Sequence, residues 1–94
     1  MKSVVYELNL SDTFDKHIEK HKKSGQVKIL IKITTLLEEL IEHPYTGTGR
    51  PEPLTADKKG QWSRRISQKH RLIYQVNDTI VTVHVLSAFG HYEK

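Results

Sequence analysis

Residues 51–72 read Pro51-Glu52-Pro53-Leu54-Thr55-Ala56-Asp57-Lys58-Lys59-Gly60-Gln61-Trp62-Ser63-Arg64-Arg65-Ile66-Ser67-Gln68-Lys69-His70-Arg71-Leu72, and the predicted arrangement of the sheet depends on this segment. It predicts two strands that carry arginines, separated by a segment, 67–69, whose length suits a hairpin loop. If Ile66 pairs with His70, Arg65 lies directly opposite Arg71 on one face. Like charges in that position destabilise a sheet unless an anion lies between them. A phosphate is the natural candidate, because a guanidinium group matches its oxygens with two parallel hydrogen bonds.

A single carboxylate lies between two prolines ahead of these strands. Proline fixes its own φ and restricts the residue before it, so Glu52 is predicted on a stiff, extended backbone. A carboxylate that served only solubility would not need that rigidity. We therefore treat Glu52 as a candidate for the same site as the two arginines.

The composition predicts one small soluble domain over residues 1–94. The chain has 94 residues, no cysteine and a formal net charge of +4, with Lys and Arg concentrated between residues 50 and 71. This balance permits a nucleic-acid or acidic-protein partner without requiring one. No run resembles a signal peptide or a membrane span, so we expect a cytoplasmic protein that does not associate with membranes.

Periodicity predicts an α+β fold in which two helices pack on one face of a mostly antiparallel four-stranded sheet, in the order β-α-α-β-β-β. We predict strands over 3–8, 61–66, 70–76 and 79–87, and helices over 12–23 and 26–42. Ser11 suits an N-cap, and Asn77-Asp78 suits a two-residue hairpin turn.

Strand parity predicts what each face of the sheet carries. Leu72 and Tyr74 alternate with Arg71, and valines alternate with His84 in the last strand. We expect the apolar set to lie beneath the helices. Arg65, Arg71 and His84 then share the uncovered face, which is a binding surface.

Four side chains supply the parts needed to cleave RNA without a metal ion: Glu52, Arg65, Arg71 and His91. A base removes the ribose 2′-OH proton, the oxygen attacks the adjacent phosphorus, and an acid protonates the leaving 5′-oxygen. Arginines stabilise charge on the phosphoryl oxygens in the transition state.

Each of these residues also has a plainer interpretation. Glu52 alone is typical of a surface carboxylate, and Arg64 and Arg65 of a solvated strand face. His17, His21, His43 and His70 are most simply surface or boundary residues, and His84 is the rival for the acid role. No histidine spacing typical of a metal site is present, so we predict neither metal nor cofactor.

Taken together, the motifs resemble a known family. Four motifs carry the resemblance: Pro51-Glu52-Pro53-Leu54, Gly60-x-Trp62-Ser63-Arg64-Arg65-Ile66, His70-Arg71-Leu72-Ile73-Tyr74 and His91-Tyr92. In order and spacing, these look like the Txe/YoeB toxins, which belong to the RelE-like (RelE/ParE) toxins of bacterial toxin–antitoxin modules. The resemblance implies an mRNA interferase, that is, a ribosome-dependent endoribonuclease that inhibits translation. It implies a cognate antitoxin, the ribosome and mRNA as partners, and leaves open whether the protein forms a homodimer.

The resemblance also assigns roles. It implies Glu52 as general base, His91 as general acid, Arg65 and Arg71 as phosphate clamps, and Tyr92 as a substrate contact. The surrounding residues that we expect to bind substrate are basic or aromatic: Arg50, Lys58, Lys59, Arg64 and Phe89.

Two positions depart from the family pattern. Thr55 stands where lysine is common, and Phe89 stands where arginine is common. Both changes remove positive charge, although Phe89 could stack on a base. The alternative function is therefore that of a non-cleaving inhibitor that binds the ribosome or RNA. A third possible function is that of a toxin that acts on another target, as toxins of the ParE-like branch do. Codon preference and the identity of the antitoxin are not encoded in any recognisable motif.

Overall fold

The protein has an α+β fold in which two helices pack on one sheet. The computed structural model describes residues 4–55 and 60–90. The elements in chain order are β1 (Glu7–Leu10), α1 (Asp12–Lys23), α2 (Val27–Glu42), β2 (Glu52–Pro53), β3 (Gln61–Arg65), β4 (Arg71–Asn77) and β5 (Thr82–Ser87). The spatial order is β1-β5-β4-β3-β2. β1 is parallel to β5, and the other neighbours are antiparallel.

The predicted fold class is confirmed, but the predicted strand count and order are wrong. The described residues form five strands, in the order β-α-α-β-β-β-β. The additional strand is β2, in which Glu52 pairs with Ser63 and Pro53 with Trp62. The prolines that hold this segment extended also let it add to a sheet edge, where a missing N–H is tolerated.

Both ends of α1 and the end of α2 lie where their flanking residues predict. The Ser11 side chain accepts a hydrogen bond from the Phe14 N–H at 3.0 Å and starts α1. Gly25, with φ +66°, adopts the left-handed conformation that follows many helices. α2 ends at His43, before Pro44, because the residue before proline is disfavoured in the helical region.

The core lies between the helices and one face of the sheet. Its fully or nearly fully buried apolar side chains come from both layers: Phe14, Ile33, Leu36, Leu40, Ile66, Leu72, Tyr74, Val83, Val85 and Ala88. Each such large side chain stabilises the fold by roughly 1.5–3 kcal/mol. The predicted apolar face of the sheet, with Leu72 and Tyr74 beneath the helices, is confirmed.

The hairpin between β4 and β5 is wider than predicted. Asn77 pairs with Thr82, so four residues connect the strands instead of two. The Asn77 side chain causes this, because its Oδ1 accepts hydrogen bonds from the N–H groups of Thr79 at 3.0 Å and Ile80 at 3.3 Å. An asparagine side chain that bonds the following backbone in this way stabilises a longer turn.

The first strand is shifted for a related reason. It was predicted over 3–8, but Val4 and Val5 are 56% and 61% exposed, and β1 starts at Glu7. β1 pairs with β5 from Glu7 opposite Thr82 onward. Since the wide turn delays the start of β5, it delays the start of β1 as well.

Candidate active site

A depression of about 70 Å³ lies on the sheet face opposite the helices. Its lining is almost entirely polar and comes from the segment before β2 and from β2, β3 and β4: Gly49, Arg50, Glu52, Ser63, Arg65 and Arg71. Arg65 and Arg71 are direct cross-strand neighbours, which confirms the predicted register. Ser63 and Gly49 were not predicted, although Ser63 shares strand parity with Arg65 and could have been found by it.

The backbone before β2 directs Glu52 into this depression. The Gly49 carbonyl accepts a 2.6 Å hydrogen bond from the Arg65 N–H. Gly49 and Arg50 both have positive φ, +85° and +53°, and so turn the chain into β2. Glu52 then lies opposite Ser63 and diagonally across from Arg65, a backbone separation of about 7–8 Å in a sheet. Glu52 and Arg65 therefore share one face of the sheet.

The carbonyls of the β3–β4 turn hold the second arginine. The Arg71 Nη1 donates to the Ser67 carbonyl at 2.7 Å and to the His70 carbonyl at 3.2 Å. Within residues 4–55 and 60–90, Glu52 forms no ion pair with either arginine. The turn carbonyls, with their partial negative charge, offset the repulsion between the guanidiniums instead.

Arg64 does not belong to the depression, which corrects its predicted role as a substrate-binding residue. Its side chain is fully buried on the helix side of the sheet, opposite Leu72. The guanidinium uses all five of its donors. They reach the Tyr74 hydroxyl at 3.1 Å, Glu39 Oε1 at 2.9 Å, and the carbonyls of His43, Thr46 and Thr48.

Arg64 therefore fixes the loop that leads to Glu52. Three of its acceptors are backbone carbonyls of residues 43–48, and Tyr74 adds a 2.8 Å hydrogen bond to the Pro44 carbonyl. Burial alone would raise the pKa of Glu39, but hydrogen bonds from Thr48 and the Arg64 guanidinium outweigh it and lower the pKa. Glu39 is thus held in the charged form that Arg64 requires.

Comparison with known proteins shows which family the chain belongs to. The family model described as "YoeB-like toxin of bacterial type II toxin-antitoxin system" matches residues 9–92. The chain belongs to this family. This YoeB-like toxin is 46% identical over 61 residues to Toxin YoeB of Mycobacterium bovis, spanning 65% of this chain and 69% of that protein. It is 36% identical over 72 residues to Toxin YoeB of Streptomyces coelicolor, spanning 77% and 83% respectively.

Solved structures agree with this. The YoeB/ParE toxin from Agrobacterium tumefaciens superposes with a TM-score of 0.84 at 30% identity, covering 92% of this chain and 99% of that one. The YoeB dimer from Staphylococcus aureus superposes with a TM-score of 0.79 at 28% identity, covering 93% and 98%. The RelE-like fold expected from the motifs is the fold of these YoeB structures.

In this YoeB-like toxin, the segment after β5 returns to the arginines. The Gly90 carbonyl accepts a 2.9 Å hydrogen bond from the Arg71 N–H. Four predicted site residues lie outside the described residues: His91, Tyr92, Lys58 and Lys59. The described chain stops at Gly90, beside Arg71, and this is the point from which it continues to His91.

The other predicted residues have mixed outcomes. Phe89 is 40% exposed and packs against the rings of His21 and His70, so its predicted stacking on a base remains a prediction. His21, predicted as a surface or boundary residue, is instead 1% exposed, and its Nε2 donates to the Ala88 carbonyl at 2.9 Å. The helix pattern alone could not reveal a partner 67 residues away.

His84 lies on the predicted face but not beside Arg71. It pairs with Gln75, four residues along β4 from Arg71, a separation of about 13 Å at the usual rise of a strand. This weakens its claim to the acid role. Among the described residues, no three His, Asp or Glu side chains gather as metal ligands, and neither helix has the length and apolarity of a membrane span.

Proposed function

We propose that this YoeB-like toxin is a ribosome-dependent endoribonuclease that cleaves mRNA without a metal ion and so inhibits translation in the cytoplasm. The observation that carries the proposal is the register that sets Arg65 opposite Arg71 with Glu52 on the same face. Two cations facing each other across a polar depression favour an anion between them. The scissile phosphate of RNA satisfies that requirement and brings its own nucleophile, the 2′-OH.

In the proposed reaction, Glu52 accepts the 2′-OH proton and the oxygen attacks the neighbouring phosphorus. The bond between phosphorus and the 5′-oxygen breaks, His91 donates a proton to that oxygen, and a 2′,3′-cyclic phosphate forms. Arg65 and Arg71 stabilise the charge that develops on the phosphoryl oxygens. Glu52 is exposed at the rim of the depression, where a ribose can reach it.

Other residues complete the proposed substrate surface. Arg50 lines the depression and would bind a flanking phosphate. Tyr92, Lys58 and Lys59 are proposed to contact RNA, and the exposed part of Phe89 is proposed to stack on a base.

Primer extension on a defined message, with purified protein and with or without ribosomes, tests the proposal. We expect cuts only when ribosomes are present, and none in a message with a single 2′-deoxy substitution at the cut site. Chelator should leave activity intact where ribosome integrity is controlled separately. Inhibited translation without any cut would reject the nuclease and favour the non-cleaving inhibitor.

Variants of the acid and base test the assigned roles. Glu52→Gln and His91→Gln should each lower the cleavage rate at least about 10²-fold, with the fold unchanged. His84→Gln is the matched control and should cleave normally. If His84→Gln loses activity and His91→Gln does not, the acid has been assigned to the wrong histidine.

We also propose a cognate antitoxin as partner, as in the YoeB–YefM complex from Staphylococcus aureus. An acidic or amphipathic antitoxin segment would order on binding over the basic face and cover or displace the chain that follows Gly90. The YoeB dimer of the same organism supports a homodimer as well. Crosslinking and footprinting of the co-expressed pair test this, and a complex that leaves Arg65, Arg71 and His91 open would reject it.

A further inference from the structure

Three imidazoles bind the backbone immediately after β5. The His17 Nδ1 accepts a 3.0 Å hydrogen bond from the Ala88 N–H. The His21 Nε2 meets the Ala88 carbonyl at 2.9 Å, and the His70 Nδ1 accepts a 2.9 Å hydrogen bond from the Gly90 N–H. Two of the histidines lie on α1 and the third lies just before β4, so separate elements converge on three residues of chain.

We propose that His17, His21 and His70 are positioning residues that hold residues 88–90 against Arg71 and thereby fix where the chain continues to His91. We call these three the histidine clamp. This inference rests on the proposed function, because residues 88–90 matter to the reaction only if the residue that follows them is the proton donor.

The position of residues 88–90 explains why such a clamp is needed. β5 ends at Ser87, so the polar groups that follow have no partner in the ladder of the sheet. Ala88 is fully buried, and buried backbone groups left unpaired are costly. The clamp satisfies three of these groups, and the Arg71 N–H satisfies a fourth, the Gly90 carbonyl.

The Phe89 side chain also holds this segment in place, because it contacts the rings of the same three histidines. Its ring centroid lies 5.7 Å from that of His17, 5.1 Å from His21 and 4.6 Å from His70. Lys20 Nζ lies 4.3 Å above the ring, within range of a cation–π contact. Phe89 therefore contacts all three rings of the clamp while part of its own ring stays exposed.

The hydrogen bonds dictate one tautomer for each histidine. His17 and His70 accept through Nδ1, so their proton must be on Nε2. His21 faces a carbonyl with Nε2, so it must carry a proton there. Nitrogen-15 NMR of the histidine rings at pH 8 should show the Nε2–H tautomer for all three. A protonated Nδ1 on neutral His17 or His70 would overturn the clamp, whether or not any variant folds.

The central variant is His17→Leu, because His17 lies on α1, away from the strands that carry the arginines. Asparagine places an oxygen near the position of Nδ1, so His17→Asn is the conservative variant. His43→Leu, an exposed histidine outside the clamp, is the control. Amide exchange at Ala88 should accelerate about 10-fold or more in His17→Leu, remain near wild type in His43→Leu, and be largely restored in His17→Asn.

Kinetics separate positioning from simple stability. Because misplacement of a reacting group by 1 Å can cost about 10²-fold, we expect kcat of His17→Leu to fall roughly 10-fold or more, with KM for ribosome-bound message unchanged. His17→Asn should recover most of kcat. A folded His17→Leu with wild-type kcat overturns the clamp. Wild-type protein that does not cleave at all rejects the proposed function instead, and the exchange measurement still decides the clamp.

Discussion

Arg64 and Arg65 are consecutive residues of β3 whose side chains lie on opposite faces of the sheet. Arg64 is fully buried and donates five hydrogen bonds, whereas Arg65 is exposed at the polar depression. One arginine shapes the loop that leads to Glu52, and the other faces the position proposed for the phosphate. The two residues therefore have different roles, although they are adjacent and identical in the sequence.

Alanine substitution should separate the two roles. Arg64→Ala removes a fully buried guanidinium and leaves its acceptors, including the partly exposed Glu39 carboxylate, without their donor, so we expect the free energy of unfolding to fall by about 3 kcal/mol or more. Arg65→Ala should change it by no more than about 0.5 kcal/mol, while cleavage falls about 10²-fold or more. Chemical denaturation of both variants measures this. Equal destabilisation would contradict the division of roles.

Arg71→Ala should lie between these two cases. Its guanidinium donates to the Ser67 and His70 carbonyls, so its loss should cost about 1 kcal/mol of unfolding free energy, less any relief of repulsion from Arg65. Cleavage should fall as far as in Arg65→Ala. Thermal melts in buffer without phosphate or sulfate test the stability, and Arg71→Lys, which keeps the charge but not the planar group, is the control.

Gly49 should tolerate no side chain. A Cβ there would lie 2.8 Å from the Arg65 carbonyl oxygen, so Gly49→Ala adds crowding of about 1–3 kcal/mol to a left-handed penalty of about 1–2 kcal/mol. Gly25→Ala is the matched control, because it has a similar φ and nothing within 4 Å. We expect Gly49→Ala to be the less stable variant and to lose cleavage as well, since β2 must move. Equal melting temperatures of the Gly49→Ala and Gly25→Ala variants would show that the loop around residue 49 can move without loss of stability.

The stability of the fold should depend on pH through His17. Burial, together with the nearby charges of Lys20 and His21, lowers the pKa of His17 below its usual 6.5. The unfolded chain therefore binds the proton more readily, and the free energy of unfolding falls as pH drops below about 6.5 toward the folded pKa. Denaturation between pH 8 and 5 should show this loss in wild type and a smaller loss in His17→Asn. The same slope in both proteins would assign the effect to another group.

The sequence predicts the parts of the site that depend on local geometry. The length of 67–69 set the Arg65–Arg71 register, and strand alternation placed Leu72 and Tyr74 beneath the helices. The same alternation groups Arg64 with Leu72, so its burial could have been predicted had the pattern been applied to both arginines.

The features that the sequence could not predict depend on contacts between distant segments. The burial of His21 requires the Ala88 carbonyl, and the start of β1 depends on a turn more than 70 residues later. β2 was not predicted because its two residues, Glu52 and Pro53, are too few to show a strand periodicity. Such pairings become visible only when the chain is folded.

The position of β5 has a consequence for how the protein folds. β5 lies between β1 and β4, and Glu7 pairs with Thr82, a separation of 75 residues (82 − 7). Until β5 has been synthesised, β1 has no strand to join and the apolar faces of the helices have no complete sheet to cover them. Pairings between such distant segments also make folding slow. A ribosome that is making this toxin therefore carries a nascent chain that is open and prone to aggregation, and the complete sheet forms only after synthesis has passed residue 87.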